Sequence, residues 1–481
     1  MSNPFIRILL FPALSILMVS CHRGPDQQPK FPVRLYLQLP SDSSTSRIDR
    51  AYLAIEKEED YHEADSILNQ AIQAAISNMD REGQIRAYTD YFLIPGLPDY
   101  QAEQSNRHAL KALEWCAGMQ PSAERWNLLR VLVDYFVRSQ DPSSSLKLST
   151  LMFDEWPGQS EPAISALSYV ALAKAQEANN EAKPALKNYL QAMYLAERSG
   201  SSLIKIQVYS EISDFYKRKL LYQKAYEFKK KELELDYPDS LSRFDAKLLL
   251  LDLIRLSNDE GQFDLESFFE ILDFAKTHGY KKLKSFAMAF LRTSYFESGK
   301  TKELYLIFQN RLPDEFAEFK SNDPFGNSRL MALYHQSENQ VDSAQFYFSS
   351  AIRILQNQNL HPGVLSRFYL RYGDFLYEQS RFDEAEKAYR SSAEQADITM
   401  QLKFQISSTA RLVELYQKTN NYKEAISQIN KLKALETRRD ALLHDRDILG
   451  LEFEYEERIR QEEARQESER LHRWNQSQYG L

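Results

Sequence analysis

At 481 residues, with 60 Lys and Arg against 68 Asp and Glu, the chain carries a formal charge of −8 and has no extended basic block. That balance argues against nucleic acid as a partner, and two cysteines leave no disulfide framework and no CxxC metal or redox motif. Gly (14) and Pro (17) are sparse while Tyr (28) and Phe (27) are plentiful, so few tight turns interrupt the chain and one long repeat array fits better than several ordinary domains.

The first twenty residues differ from all that follow. Arg7 supplies a short positive region, Ile8 to Val19 is a charge-free apolar run, and Ser20-Cys21 follows directly. This is the layout of an export leader, and the run is shorter than the roughly 20 residues that span a bilayer. The ending Met18-Val19-Ser20-Cys21 resembles the lipobox of bacterial lipoproteins, with Met18 departing from the usual Leu, Val or Ile. The resemblance implies removal of residues 1–20, acylation of Cys21 (palmitate among the chains) and anchorage in the cell envelope, at the periplasmic face or outer membrane. Two or more acyl chains hold a protein stably where one does not. Residues 21–45, with Pro25, Pro29, Pro32, Pro40 and the serines after Pro40, read as a flexible tether behind that cysteine.

From residue 46 to 435 a helical pattern recurs. Ala64, Leu68 and Ala71 give the first copy of a small, large, small spacing on a second helix. The stretches 80–118 and 122–155 fit the repeat only by length, and Cys116 within Leu113–Ala117 reads as a buried small hydrophobe. Leu172-Ala173 pairs with Ala185, Tyr189 and Ala192; Ile212, Ser213 and Tyr216 pair with Ala225. Leu265, Phe269 and Leu272, then Leu304 and Phe308, keep the register without the small residue. Ala344, Phe348 and Ala351 restore it. The fullest unit runs from Phe368 through Tyr372-Gly373, a turn at Gln379-Ser380, and Ala385, Tyr389 and Ser392; Ala425, Ile429 and Leu432 follow the turn Asn420-Asn421.

These positions resemble the tetratricopeptide repeat, whose first helix carries a large-then-small pair and whose second carries small, aromatic, small. The spacing here is near 40 rather than the family's usual 34 or so. The resemblance implies an all-α, right-handed solenoid of about ten helical hairpins, in which stacking buries a core no single hairpin builds. It also implies a concave groove lined by the first helices. In this register the groove presents Lys174, Glu177, Gln207, Asp214, Lys217, Arg329, Arg367, Asp374, Arg411 and Glu414 as candidate ligand-binding residues. Their mixed signs suit an extended peptide and equally suit a solvated surface.

Residues 436–475 read as one long charged helix, with Leu442, Leu443, Ile448, Leu449, Leu451, Phe453, Tyr455 and Ile459 as an apolar stripe in its first half, and 476–481 as a disordered tail. Glu454/Arg458, Glu456/Arg460 and Glu469/Arg473 stand four apart in the favourable order. A helix this polar gains from a partner, so helix-mediated or coiled-coil association through 440–475 is one expectation and a cap on the array is the other. The arrangement is similar to Bacteroidota envelope proteins with a lipidated or signal segment, a tetratricopeptide sensory region and a juxtamembrane helix. It departs from them in having no second apolar run or output module after Trp474, which puts direct signalling in doubt.

Chemistry is not signalled. The histidines never stand at a joint metal-binding spacing, and His62-Glu63 lacks the second histidine because Ser66 occupies its place. No nucleophile elbow or phosphate loop occurs, so neither a catalytic residue, a metal nor a cofactor is expected. The leading expectation is a lipid-anchored scaffold that binds a protein or peptide in the envelope. The alternative is a sensory relative acting through its C-terminal helix. A glycan-binding outer-membrane lipoprotein ranks last, because 4 Trp and 14 Gly are too few for the long loops of that group.

Overall fold

A computed structural model of the chain describes residues 47–94, 96–155, 161–237, 239–257, 263–356 and 360–443, with helical positions between 450 and 474. Cys21, its leader and tether, and residues 476–481 lie outside the described residues, as do most of the apolar positions assigned to the terminal helix.

Every regular element among the described residues is an α-helix, and successive helices pack against one another as an all-α solenoid. The described residues form two compact units, one holding those up to 288 and from 450 onward, the other 289–443. The first contains α1 (Arg47–Glu58), α2 (Tyr61–Ser77), α3 (Arg81–Leu93), α4 (Leu97–Tyr100), α5 (Ala102–Ala117), α6 (Ala123–Arg138), α7 (Pro142–Glu155), α8 (Pro162–Ala178), α9 (Ala182–Arg198), α10 (Ser202–Arg218), α11 (Tyr222–Leu233), α12 (Ser240–Ser257) and α13 (Leu265–His278). Helix α14 (Lys281–Glu297) gives residues 281–288 to the first unit and 289–297 to the second. The second continues with α15 (Thr301–Asn310), α16 (Pro313–Asn322), α17 (Pro324–Ser337), α18 (Val341–Leu355), α19 (Pro362–Glu378), α20 (Phe382–Ile398), α21 (Leu402–Lys418) and α22 (Tyr422–Leu443).

The period is written in the backbone. The first helix of a hairpin ends in a left-handed residue, at Glu59, Gln140, Asn180, Leu220, Asn339, Ser380 and Asn420, with φ from 56° to 64°, and at Gly299 with φ 73°. The next amide then reaches back into the last turn: Glu181 N–H donates to the Gln176 carbonyl (2.8 Å), Arg381 to Leu376 (2.9 Å) and Asn421 to Tyr416 (2.8 Å). This Schellman arrangement satisfies carbonyls that the helix end leaves open. The left-handed positions 140, 180 and 220, and again 299, 339, 380 and 420, step by 40 or 41 residues.

Small residues then set the helix separation. Ala185, Tyr189 and Ala192, Ala344, Phe348 and Ala351, and Ala385, Tyr389 and Ser392 are all buried, each set on the second helix of its hairpin. A Cβ on Gly373 of α19 would lie 2.5 Å from Tyr389 Cε1, so the α19–α20 approach depends on the missing methyl. In the hairpin of α10 and α11, Ser213 holds the equivalent place and donates to the Ala225 carbonyl (2.8 Å).

Three local readings change. In α13 the buried face is Phe268, Ile271, Leu272 and Ala275, while Leu265 and Phe269 are only half-buried. Asp264 caps this helix by accepting from the Glu266 and Ser267 amides, which starts it at Leu265 and turns Phe268 inward. In α22 Ala425 is buried but Ile429 is 41% exposed, because no further hairpin among the described residues covers that face. The stretch 80–118 contains the extra short helix α4, entered through Gly96 at φ 81°, so its small-residue spacing is broken while its length is kept.

Within the first unit, Lys282 pairs with Glu56 and Lys281 with Glu58, tying α1 to α14 across more than 220 residues of chain. Tyr455, on the helical segment after 450, joins the same unit's core beside Tyr169 and Leu190, and Arg458 lies 5.1 Å from its ring. The described residues beyond it, up to 474, are mostly exposed, with Arg465 paired to Glu469 (3.2 Å). Cys116 is fully buried, and burial pushes its thiol up to about 12.

Candidate functional site

The ten groove residues fall into two groups. Lys174, Glu177, Gln207, Asp214 and Lys217 belong to the first unit, on α8 and α10. Their charges are largely matched by the neighbouring first helices. Lys174 bridges Asp134 of α6 (2.7 Å) and Glu211 of α10 (2.8 Å). Glu177 accepts two hydrogen bonds from Arg218 (2.9 and 2.8 Å), and Lys217 pairs with Asp252 of α12 (2.7 Å). Gln207 has a buried carbonyl oxygen without a partner, and Asp214 disfavours the charge of Glu232 nearby. The ion pairs of Lys174, Glu177 and Lys217 link one hairpin to the next.

Arg329, Arg367, Asp374, Arg411 and Glu414 belong to the second unit, and the fold brings them together. Arg329 comes from α17, Arg367 and Asp374 from α19, Arg411 and Glu414 from α21, all first helices of their hairpins. A cavity of about 270 Å3 is lined by the first four of them and by Phe296, Glu297, Leu370, Arg371, Lys403, Phe404, Ser407 and Ala410. It adjoins a shallower depression of about 670 Å3 that shares Phe296, Arg371, Asp374 and Arg411 and adds Tyr377, Tyr389 and Glu414.

The electrostatics are uneven. Five cationic side chains line the cavity, and only two carboxylates do. Glu297 is shared by Arg367 (3.1 Å) and Lys403 (3.4 Å), and its backbone carbonyl accepts from Arg371 (3.4 Å). Asp374 pairs with Arg411 (2.9 Å), stands 3.7 Å from Arg371 and accepts from the Tyr389 hydroxyl (3.0 Å). Burial nevertheless holds the Asp374 carboxyl above the usual carboxylate range. Arg411 divides itself between Asp374 and Glu414 (2.8 Å).

Arg329 is the exception. It is 7% exposed, its Nε lacks a partner, and no hydrogen bond or close ion pair engages it among the described residues. Its guanidinium carbon lies 3.9 Å from the centroid of the Phe296 ring. Burial first, then Arg367 and Arg371, push it down to about 9, with Glu297 and Asp323 countering. At neutral pH it stays a cation.

Sequence reasoning missed Phe296, Glu297, Arg371, Lys403 and Phe404. Arg371 was within reach, since it stands four residues after Arg367 on one helix face. Glu297 and Phe296 close α14, whose hairpin carries no small-residue signature to fix its register. No family model matches the chain, and no curated protein matches it. Among the described residues no group of three or more His, Cys, Asp or Glu side chains converges as a metal site would, and no helix is long and apolar enough to cross a membrane. The Nε2 of buried His108 lies 2.9 Å from the Asn69 amide oxygen, to which it donates when protonated, and 3.3 Å from the Gln104 amide nitrogen, from which it accepts in the other tautomer; burial pushes the imidazole down to about 4.

Proposed function

We propose that the chain is a tetratricopeptide-type, lipid-anchored protein of the cell envelope that captures a protein or peptide partner without catalysing a reaction on it. The observation that carries this reading is the convergence of Arg329, Arg367, Asp374 and Arg411, from three successive first helices, on one cavity, with Glu414 in the depression that adjoins it. A helical array presents such residues side by side because each hairpin repeats the same face some 40 residues later. The apolar walls and paired carboxylates of that cavity suit recognition. The lipidated Cys21 would keep this surface at a membrane, with residues 22–45 as spacer.

The test is affinity capture from envelope extracts with the lipid-free chain from residue 22, read by mass spectrometry. The double charge reversal Arg367→Glu/Arg411→Glu is expected to lose the specific partner that the unaltered chain retains. Retention of that partner by the double variant, with loss on removing residues 450–481, would move recognition to the terminal helix instead.

A further inference from the structure

We propose that the cavity floored by Arg329 is an organic-anion site, which takes one oxyanion, carboxylate or phosphoryl, at Arg329 and Arg371 and holds its apolar body between Phe296 and Phe404. The proposal rests on the ligand-binding reading of this face and names the chemistry that the face selects.

Three observations carry it. First, the cations around the cavity outnumber the carboxylates five to two, and both carboxylates are already shared between pairs of cations. Second, Arg329 is more than nine-tenths buried and lines the cavity with no hydrogen-bonding partner among the described residues. A buried charge is tolerated when a counter-charge reaches it, and a guanidinium offers a planar fork that fits the two oxygens of a carboxylate or phosphoryl group. Third, the cavity is too large for a bare ion alone, and Phe296, Leu370, Phe404 and Ala410 give it apolar walls. The ligand therefore carries its anion on an apolar stem. Burial of Arg329, with the charges of Arg367 and Arg371, disfavours its own charge, and an incoming oxyanion relieves that unfavourable balance.

The experiment is calorimetric titration of the whole exported chain from residue 22, at constant ionic strength, with phenylacetate, phenyl phosphate, acetate and the neutral phenylacetamide. At least one aromatic anion is expected to bind saturably at one site, more tightly than acetate, with no binding of phenylacetamide. Whichever of phenylacetate and phenyl phosphate binds better identifies the natural anion as carboxylate or phosphoryl. Arg329→Met and Arg371→Gln are each expected to weaken binding at least about tenfold. Arg371 is 35% exposed, so its variant preserves the fold if that at Arg329 does not. The proposal is overturned if neither aromatic anion binds, if phenylacetamide binds as well as phenylacetate, or if Arg371→Gln binds unchanged. If the anions fail while partner capture still depends on Arg367 and Arg411, the anion site falls and the wider reading stands. If the anions bind while capture ignores those residues, the site stands and the peptide reading falls.

Discussion

Arg329 of α17 stacks its guanidinium 3.9 Å from the ring centroid of Phe296, on α14, and has no other close partner among the described residues. A cation–π contact contributes about 0.5–2 kcal/mol, whereas a buried charge without a hydrogen-bonded counter-charge costs several kcal/mol. The cost wins. Arg329→Met, similar in length and uncharged, is therefore expected to stabilise the second unit by roughly 1–3 kcal/mol while it weakens anion binding at least about tenfold. Hydrogen exchange in α17 and α19 reads this directly. Faster exchange in the variant would make Arg329 a structural residue and remove the trade-off.

Gly373 works in the opposite sense. In an exposed helix Gly→Ala gains up to about 1 kcal/mol, but here the added methyl would sit 2.5 and 2.6 Å from two ring carbons of Tyr389. Overpacking of that kind costs about 1–3 kcal/mol, so Gly373→Ala is expected to be a net loss of about 1–2 kcal/mol in chemical denaturation. The damage should reach the site, since the Tyr389 hydroxyl donates to Asp374, and Asp374 positions Arg411. Gly373→Ala should thus weaken partner capture too, and a stable variant with intact capture would refute the close-approach account.

Met79 and Met400 stand at the links between hairpins with φ 51° and 52°, and they are 88% and 75% exposed. Neither side chain recovers by packing the roughly 1 kcal/mol that a left-handed conformation costs a residue with a Cβ. Replacing each by Gly is expected to stabilise its own unit by about 0.5–1 kcal/mol, less the extra freedom that Gly brings to the unfolded chain. The two sites belong to different units, so the effects should add in the double variant. Melting curves of the single and double variants check this, and a fall in melting temperature for either would contradict it.

How far these features were legible beforehand depends on which physical constraint left a mark. The hairpin period was legible where a hairpin places a small residue at the point where its helices touch, as at Ala185, Ala344, Ala385 and Gly373. The face of α13 was not, because the cap at Asp264 rotates the helix by one position and Leu265 and Phe269 look as apolar as Phe268 and Ile271. Charges on first helices were legible as lining residues but not as a site. Lys174 and Arg329 both lie on first helices, six and ten residues before the left-handed Asn180 and Asn339. Only the three-dimensional neighbours decide that Lys174 finds Asp134 and Glu211 while Arg329 finds two further arginines. Pairing across hairpins depends on residues some 40 positions away, and no local pattern encodes it.

Tyr455 joins the core of the first unit, beside Tyr169 and Leu190 and below an otherwise exposed helical segment. Truncating a buried aromatic ring costs about 3–5 kcal/mol, more than the weak surface ion pairs of the segment supply. Tyr455→Ala is expected to release the segment and speed tryptic cleavage at Arg458, Arg460 and Arg465, leaving α8 to α11 protected. Tyr455→Phe keeps the ring and should resist cleavage as the natural chain does. Equal cleavage of all three proteins would mean that the ring does not anchor the segment.

Asp245 of α12 makes the first unit sensitive to pH. Burial first, then the charge of Glu56 on α1, raises its carboxyl to about 7, with Asp239 adding to the effect and Lys282 of α14 opposing it. In the unfolded chain the same group titrates near 4. Below that pH both states hold the proton and the group is neutral in its effect. Between about 4 and 7 the folded state keeps a proton that the unfolded state has lost, so stability falls as pH rises; above 7 the whole penalty is present. Asp245→Asn carries no charge at any pH. It should match the natural chain near pH 4 and exceed it by roughly 1–3 kcal/mol at pH 8, a figure below the full linkage value because the carboxyl is only half-buried. Denaturation midpoints at the two pH values decide the matter. A constant offset would assign the effect to side-chain shape, and a larger advantage at pH 4 would reverse the sign and exclude a raised carboxyl. The same titration acts near Glu56, whose pair with Lys282 ties α1 to α14, so loss of stability at high pH should appear first as faster hydrogen exchange in α1.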